Sequence, residues 1–522
     1  MRYLLWGRRR AAILSAVIGG VAATGVVAAG VVAAPVPAQA QPDPLYRFEH
    51  QTIAWHDCRT NPNDPIGAQL VAVGALCGEM TVPLDYRHPN GRTISIAVDR
   101  RPATGTAHKL GTLVVNDGGP DASRIAVADV QSGVPALGAR YDLVSFDPRF
   151  FGLSTPLNCG WPTDIASQGQ IATPDRTAFD VNVAASRQLA SLCAPYADEL
   201  PFASTRDIAR DMDILRAALG EQKVSYLAPS YGGYLGAVYV QMFGRHVDRM
   251  VLDSAPDPNT FGPEFNRDLA STDSAGLAHW AGWAAQRDAQ LHLGNTTASV
   301  LHTVSVIWHA ARRQPLRVGS FEVTADMLPG IIDPRHATGA DAFYLVWSAE
   351  VGDLLGAANG MTVTPVPQLA SYLSSFTDPT VSATDHGSAS AALECADRAA
   401  PRDPEFYWND IQDHLATEPF YGPLRRTINP CAFWPVAPAE PPTTIDNHHP
   451  LLMVGGTGDP AVPYAGQLVM HQALHGSRMV TLNGAFGHVQ YLKAGNACVD
   501  TTVQDYLLGG PLPSHDLTCQ VG

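Results

Sequence analysis

Apolar residues along this chain come first in one long block, then in short runs spaced for strands and helices. They next recur at helical spacing alone, and finally in short runs again. After the opening block, residues 81–86 and 93–98 read as two strands. Pro89-Asn90-Gly91-Arg92 between them carries an Asn-Gly turn signal, which predicts a hairpin. Short apolar runs at 113–115 and 141–146 read as further strands. Residues 207–219 form a helix with Ile208, Met212, Leu215 and Leu219 on one face, stopped by Gly220. A strand at 224–227, a helix at 234–243 and a strand at 250–252 follow. Alternation of this kind builds a mostly parallel sheet flanked by helices. Between about Pro258 and Pro430 the alternation lapses, leaving helical segments at 276–289, 300–313 and 342–357. It returns beyond a proline-rich linker at 435–442, with strands at 451–454 and 479–482 and helices at 465–474 and 498–508. The pattern therefore predicts an α/β core in two parts, 41–257 and 431–522, interrupted by a largely helical cap at 258–430.

The opening block changes the picture at residues 1–40. Arg2, Arg8, Arg9 and Arg10 precede an uncharged stretch from Ala11 to Ala34, Pro35 and Pro37 break it, and Ala38-Gln39-Ala40 offers a small-x-small cleavage pattern. This predicts a signal peptide and a protein secreted or associated with the cell envelope. An uncleaved membrane anchor is the rival, since the stretch is long enough to span. Its Ala/Gly-rich composition is only weakly hydrophobic, so no stable membrane insertion is expected after cleavage. The chain has 522 residues, 46% of them hydrophobic, and a formal charge of −15. That composition supports a large core, and the acidic balance repels phosphate backbones, so no nucleic-acid partner is expected. All eight cysteines lie beyond residue 40. They fall into four neighbour couples: Cys58 with Cys77, Cys159 with Cys193, Cys395 with Cys431, and Cys498 with Cys519. Eight cysteines nevertheless permit many pairings. An even count fits disulfides in an oxidising compartment, each loop contributing about 2–4 kcal/mol.

Within this frame one segment carries chemistry. The strand at 224–227 leads through Ala228 and Pro229 to Ser230, and the chain leaves through Tyr231, Gly232 and Gly233 into a helix. A strained strand-to-helix turn of this kind lifts a serine hydroxyl above a sheet, with small flanking residues where strand and helix approach. Ala228 stands where the first glycine is usual. Serine needs a base, and the base an orienting carboxylate, in the chain order serine, acid, histidine on this fold. Asp459 follows the strand at 451–454 through Gly455-Gly456-Thr457-Gly458, and His488 follows the strand at 479–482 through Asn483-Gly484-Ala485-Phe486-Gly487. Read singly, Asp459 caps a turn and His488 is a core residue; read with the serine turn, both fill required positions. An oxyanion needs two donors. The N–H of Tyr231 is one, and the loop Asn116-Asp117-Gly118-Gly119-Pro120 supplies the other, with Gly119 ahead of Gly118. No metal or cofactor is required. His471 and His475 sit four apart on a helix but lack a neighbouring glutamate, and His448-His449 reads as loop. Glu350, Glu394 and Asp397 in the cap are candidates to bind a substrate's α-ammonium group, against the plainer reading of solvated or structurally paired carboxylates.

With these residues in place, the chain resembles the secreted tripeptidyl-aminopeptidase-like α/β-hydrolases of actinomycetes, relatives of the prolyl aminopeptidases. The likeness spans nearly the whole chain beyond the signal. It includes Val82-Pro83-Leu84-Asp85-Tyr86, Phe146-Asp147-Pro148-Arg149, Ser230-Tyr231-Gly232-Gly233, Val251-Leu252-Asp253, Cys395-Ala396-Asp397 and Gly487-His488. The resemblance implies an α/β-hydrolase fold with a helical cap, and serine hydrolysis near a peptide's N-terminus. Three positions depart from the family pattern, with Asp121, Phe150 and Val489 where glycine is usual. Asp121 adjoins the oxyanion loop, where an inward carboxylate would repel the developing charge. The expected activity is an aminopeptidase releasing di- or tripeptides through an acyl-enzyme. A carboxylesterase on the same triad and a catalytically silent binding protein are the alternatives, so the substrate is a peptide or an ester.

Overall fold

The computed structural model describes residues 43–105, 108–267, 269–336, 340–382 and 386–522. The expected signal peptide, 1–40, lies outside the described residues. Nine apolar runs pair into one sheet: β1 (Leu76–Pro83), β2 (Thr93–Arg101), β3 (Gly111–Val115), β4 (Tyr141–Phe146), β5 (Val224–Pro229), β6 (Val247–Asp253), β9 (Leu451–Gly456), β10 (Ser477–Asn483) and β11 (Leu517–Gln520). Two short strands, β7 (Leu316–Val318) and β8 (Phe321–Val323), form a separate hairpin. The main sheet runs in the order β1-β2-β4-β3-β5-β6-β9-β10-β11. The first three are joined antiparallel, and every later pairing is parallel. The central strands β4 and β9 are buried at every position, as strands covered on both faces must be. Helices pack on the two faces over separate apolar clusters, one around Tyr226, Tyr239 and Leu252, the other around Leu113, Leu143 and Val480. This is the α/β-hydrolase fold.

Among the described residues, the chain between Asp253 and Leu451 adds no strand to the main sheet. It contributes the helices Ala270–Ala285, Thr297–Arg313, Ala340–Ala358 and Gly387–Asp397. The first three enclose an apolar core of their own, built on Trp280, Ile307, Trp347 and Leu354.

Some element bounds differ from the sequence reading for identifiable reasons. Residues 84–86 leave β1 and enter the connection to β2, because the Tyr86 hydroxyl turns inward to donate to Asp211 (2.7 Å). The helix read from residue 276 begins at Ala270, since Asp273, polar in sequence, is buried and receives a 2.5 Å bond from Arg425 Nε. Strand β11 is short and only Cys519 in it is buried, so no periodicity announces it.

The many cysteine pairings left open by the sequence reduce to one. Cys58 is bonded to Cys77, Cys159 to Cys193, Cys395 to Cys431, and Cys498 to Cys519. No free cysteine remains among the described residues. The bond of Cys58 to Cys77 fastens the start of β1 to the segment before it, which also bridges to β1 through His56. The bond of Cys395 to Cys431 joins the helix Gly387–Asp397 to the chain that re-enters the core. The bond of Cys159 to Cys193 closes the end of the helix Arg176–Leu192 onto the chain after β4, and the bond of Cys498 to Cys519 fixes β11 to the helix Ala497–Leu507.

Candidate active site

β5 ends at Pro229, and the helix Tyr231–Phe243 begins one residue after Ser230. Ser230 joins them at φ +56° and ψ −128°, a region that costs a non-glycine residue about 1–3 kcal/mol. Its N–H donates to the Asp253 carbonyl (2.8 Å), holding the turn against the end of β6. A Cβ on Gly232 would lie 2.7 Å from the Ala228 methyl and 2.4 Å from Asn116 Oδ1. Ala228 is therefore tolerated in the first glycine position because Gly232 leaves room for its methyl.

Asp459 follows β9 and is buried. Its Oδ1 accepts from the N–H groups of Ala461 and Val462 (3.0 Å each), and its Oδ2 from Gln467 Nε2 (3.2 Å). Nδ1 of His488, which follows β10, lies 3.0 Å from each carboxylate oxygen. Burial disfavours a charged His488, but the charge and hydrogen bond of Asp459, with the charge of Asp253, outweigh it and raise its pKa above the ordinary histidine value. Ser230 and His488 line one cavity of about 580 Å³, together with Gly119, Tyr231 and Glu394. Among the described residues the Ser230 hydroxyl has no hydrogen-bond partner. Bonds of this type commonly tighten only when substrate is bound.

Asp253 is a residue whose role the sequence did not disclose. It is buried at the end of β6, where its Oδ2 accepts from the N–H groups of Gln490 (2.9 Å) and Tyr491 (2.7 Å) and its Oδ1 from the Ser254 hydroxyl (2.9 Å). Its backbone thus holds Ser230 while its side chain holds the segment after His488. Burial pushes its carboxyl up to about 6, against these bonds and the charge of His488. Gln467 is a second such residue, since it links Asp459 to the Val462 carbonyl (2.8 Å). The signals for Asp253 were its place at the end of a strand and the Val251-Leu252-Asp253 motif, neither of which assigns its side chain a role.

In the loop after β3, the Gly118 N–H is taken by Asn116 Oδ1 (2.9 Å), whereas the N–H groups of Gly119 and Tyr231 have no acceptor among the described residues. That leaves the two expected donors available to a developing oxyanion. Gly118 and Gly119 sit at φ +97° and +98°, and a Cβ on Gly118 would meet Ser230 Cβ at 3.3 Å. The three departures now have a physical reading. Asp121 does not enter the oxyanion loop; its carboxylate pairs with His386, just before the helix Gly387–Asp397. Ser390 on that helix donates to the Pro120 carbonyl (3.1 Å), tying it to the same loop. Phe150 and Val489 stand at φ +76° and +67°, left-handed conformations that glycine adopts without strain.

Of the three candidate carboxylates, only Glu394 lines the Ser230 cavity. Asp397 is tied to Thr205, accepting from its N–H (2.7 Å) and hydroxyl. Glu350 is not among the cavity's lining residues. The Glu394 carboxylate has no hydrogen-bond or ion-pair partner among the described residues, and burial, with the neighbouring charge of Asp397, pushes its pKa up to about 7. His471 and His475 do not share a site, since His471 binds Ser477 and Asp516 while His475 binds Asp446. Asp446 and His448, just before β9, and His475, just before β10, bring three ligand atoms within 4.8 Å of one another at an exposed position. No helix among the described residues is long and apolar enough to cross a membrane.

A family model described as TAP-like protein matches residues 418–519, the segment that carries Asp459 and His488. A tripeptidyl aminopeptidase of Streptomyces coelicolor is 34% identical over 90% of this chain and 86% of its own length. The serine protease Hip1 of Mycobacterium tuberculosis is 29% identical over 90% of this chain and 91% of its own. A Mycobacterium tuberculosis protein named carboxylesterase B is 31% identical over 89% of each. Similar to these along nearly its whole length, the chain belongs to the tripeptidyl-aminopeptidase-like family of α/β-hydrolases and is a serine hydrolase.

Proposed function

We propose that the protein is an exported aminopeptidase that releases di- or tripeptides from free N-termini through an acyl-enzyme on Ser230. The observation that carries this reading is Glu394, an unpartnered carboxylate in the wall of the cavity that Ser230 and His488 also line. An exopeptidase must measure from the free end of its substrate, and a carboxylate with little solvent around it binds an α-ammonium group strongly. Ser230 Oγ attacks the carbonyl as its proton passes to His488 Nε2. The N–H groups of Tyr231 and Gly119 hold the oxyanion, and His488 then protonates the leaving amine. Asp459 fixes the imidazole through Nδ1 and steadies its charged form. Water enters next and releases the acyl group by the same steps. The relative named tripeptidyl aminopeptidase supports the same reading, and the four disulfides suit an oxidising compartment outside the cytoplasm.

The test compares a free-amine tripeptidyl amide, its N-acetyl twin and a short acyl ester. The free-amine amide is expected to be cleaved at least about tenfold faster than its blocked twin, the loss of one charge-assisted bond. Equal rates for the two amides contradict the aminopeptidase. The relative named carboxylesterase B favours a second reading on the same machinery. In that event the ester is hydrolysed and both amides stay intact.

A further inference from the structure

A second cavity, of about 280 Å³, lies beside the one that holds Ser230. Its walls are mostly apolar: Val130 from the helix Ala126–Gly133, Leu227 and Pro229 from β5, and Val489 and Leu492 from the segment after His488. Asp117, Pro229, Val489 and Lys493 line both cavities, so the two adjoin along the His488 segment. Glu394 lines only the larger one. Val489 in the dividing wall and Leu492 on the small cavity's own side are both held in strain. Val489 stands at φ +67° and Leu492 at φ +63°, the former an outlying conformation for a β-branched residue. The volume falls just below that of ligand clefts, about 300–1,000 Å³, and suits one side chain rather than a length of peptide.

The direction of the reaction assigns this space. The group that protonates the leaving nitrogen is His488, so the leaving chain begins beside His488 and runs away from Glu394, which marks the acyl side. We propose that the small cavity is the subsite for the first residue of the leaving chain, accepting an apolar side chain and rejecting an acidic one. This rests on the aminopeptidase reading above. Rejection of acid follows from the carboxylates of Asp117 and Asp129, which line the cavity without hydrogen-bond partners among the described residues and outnumber the one ammonium, Lys493.

The test uses the full chain and one free-amine tripeptide, joined to Leu-amide, Gly-amide or Asp-amide, or ending as the simple amide, whose leaving group is ammonia. The wild type is expected to prefer Leu over Gly by about tenfold in kcat/KM, with Asp lowest. Ser132 and Asp129 are exposed on the cavity's rim, so substitution there leaves the core intact. Ser132→Trp fills the space and is expected to bring Leu down to the level of Gly without changing the simple amide. Asp129→Lys is expected to raise the Asp substrate toward Gly. Equal rates for Leu, Gly and Asp overturn the subsite while leaving the aminopeptidase reading standing. So does a ranking that neither variant alters, or a Ser132→Trp protein that loses all four substrates alike. If no peptide is cleaved while a short acyl ester is, both readings fall.

Discussion

On one side of the cavity, Ser230, Asp459 and His488 each follow a strand of the sheet, and hydrogen bonds to Asp253 and Gln467 tie them to that frame. On the other side, Glu394 rides on the helix Gly387–Asp397, outside the sheet. This helix meets the oxyanion loop and the helix Thr205–Ala218 through the pairs Asp121 with His386, Ser390 with Pro120 and Asp397 with Thr205. The groups proposed for chemistry therefore move only if the sheet moves, while Glu394, proposed for recognition, rides on one helix held by these contacts, the Cys395–Cys431 disulfide and the buried Leu393 and Ala396. The difference separates the two kinetic constants. Damage on the sheet side should lower kcat, and damage on the helix side should raise KM.

The largest effect expected on the sheet side is that of Ser230→Ala, a loss of about 10⁶-fold in kcat, measured on the free-amine amide. Its thermal midpoint should be unchanged, because the hydroxyl makes no hydrogen bond among the described residues. Asp253→Asn sharpens the comparison from one layer further out. It replaces the charged oxygen that both N–H groups bind with a neutral amide oxygen and turns an NH2 toward the Ser254 hydroxyl, and is expected to lower kcat by up to about 10²-fold through loosening of the His488 segment. A pH profile separates this from simple damage. The raised pKa of His488 means activity is lost as pH falls through that value, where the ring becomes protonated. Removing the Asp253 charge lowers that pKa, so the acid limb of kcat should move to lower pH.

On the helix side, Glu394→Gln is expected to raise KM for free-amine peptides by about tenfold and leave ester hydrolysis untouched. The wild type should show a related trend. The Glu394 carboxyl, raised to about 7 in the free protein, loses its charge as pH falls, so KM for free amines should climb below neutrality. The smallest effect is expected from Asp121→Ala. The hydrogen bond it removes is partly solvated, worth about 0–1 kcal/mol, so KM should rise by no more than about fivefold.

The sheet side was largely legible in the sequence and the helix side was not. Strand runs followed by glycine-rich turns located Ser230, Asp459 and His488, because a parallel sheet gathers the loops after its strands at one end. Asp253 escaped because its partners, Gln490 and Tyr491, are more than two hundred residues away and are donors only through their backbones. Among Glu350, Glu394 and Asp397 the sequence offered no ground for choice, since helix spacing does not reveal which face meets a cavity built elsewhere in the chain. Asp121 looked like a threat to the oxyanion and is drawn away by His386, a partner visible only in three dimensions. Phe150 and Val489 were legible as departures, but not as sites of positive φ.

Labelling with a fluorophosphonate, followed by mapping of the modified peptide, tests most directly whether Ser230 is worked by His488. The account predicts an adduct on Ser230 alone, absent from Ser230→Ala and forming more slowly as the pH drops and His488 gains its proton. Folded protein that carries no adduct at residue 230, or labels there at a rate indifferent to acid, would contradict it.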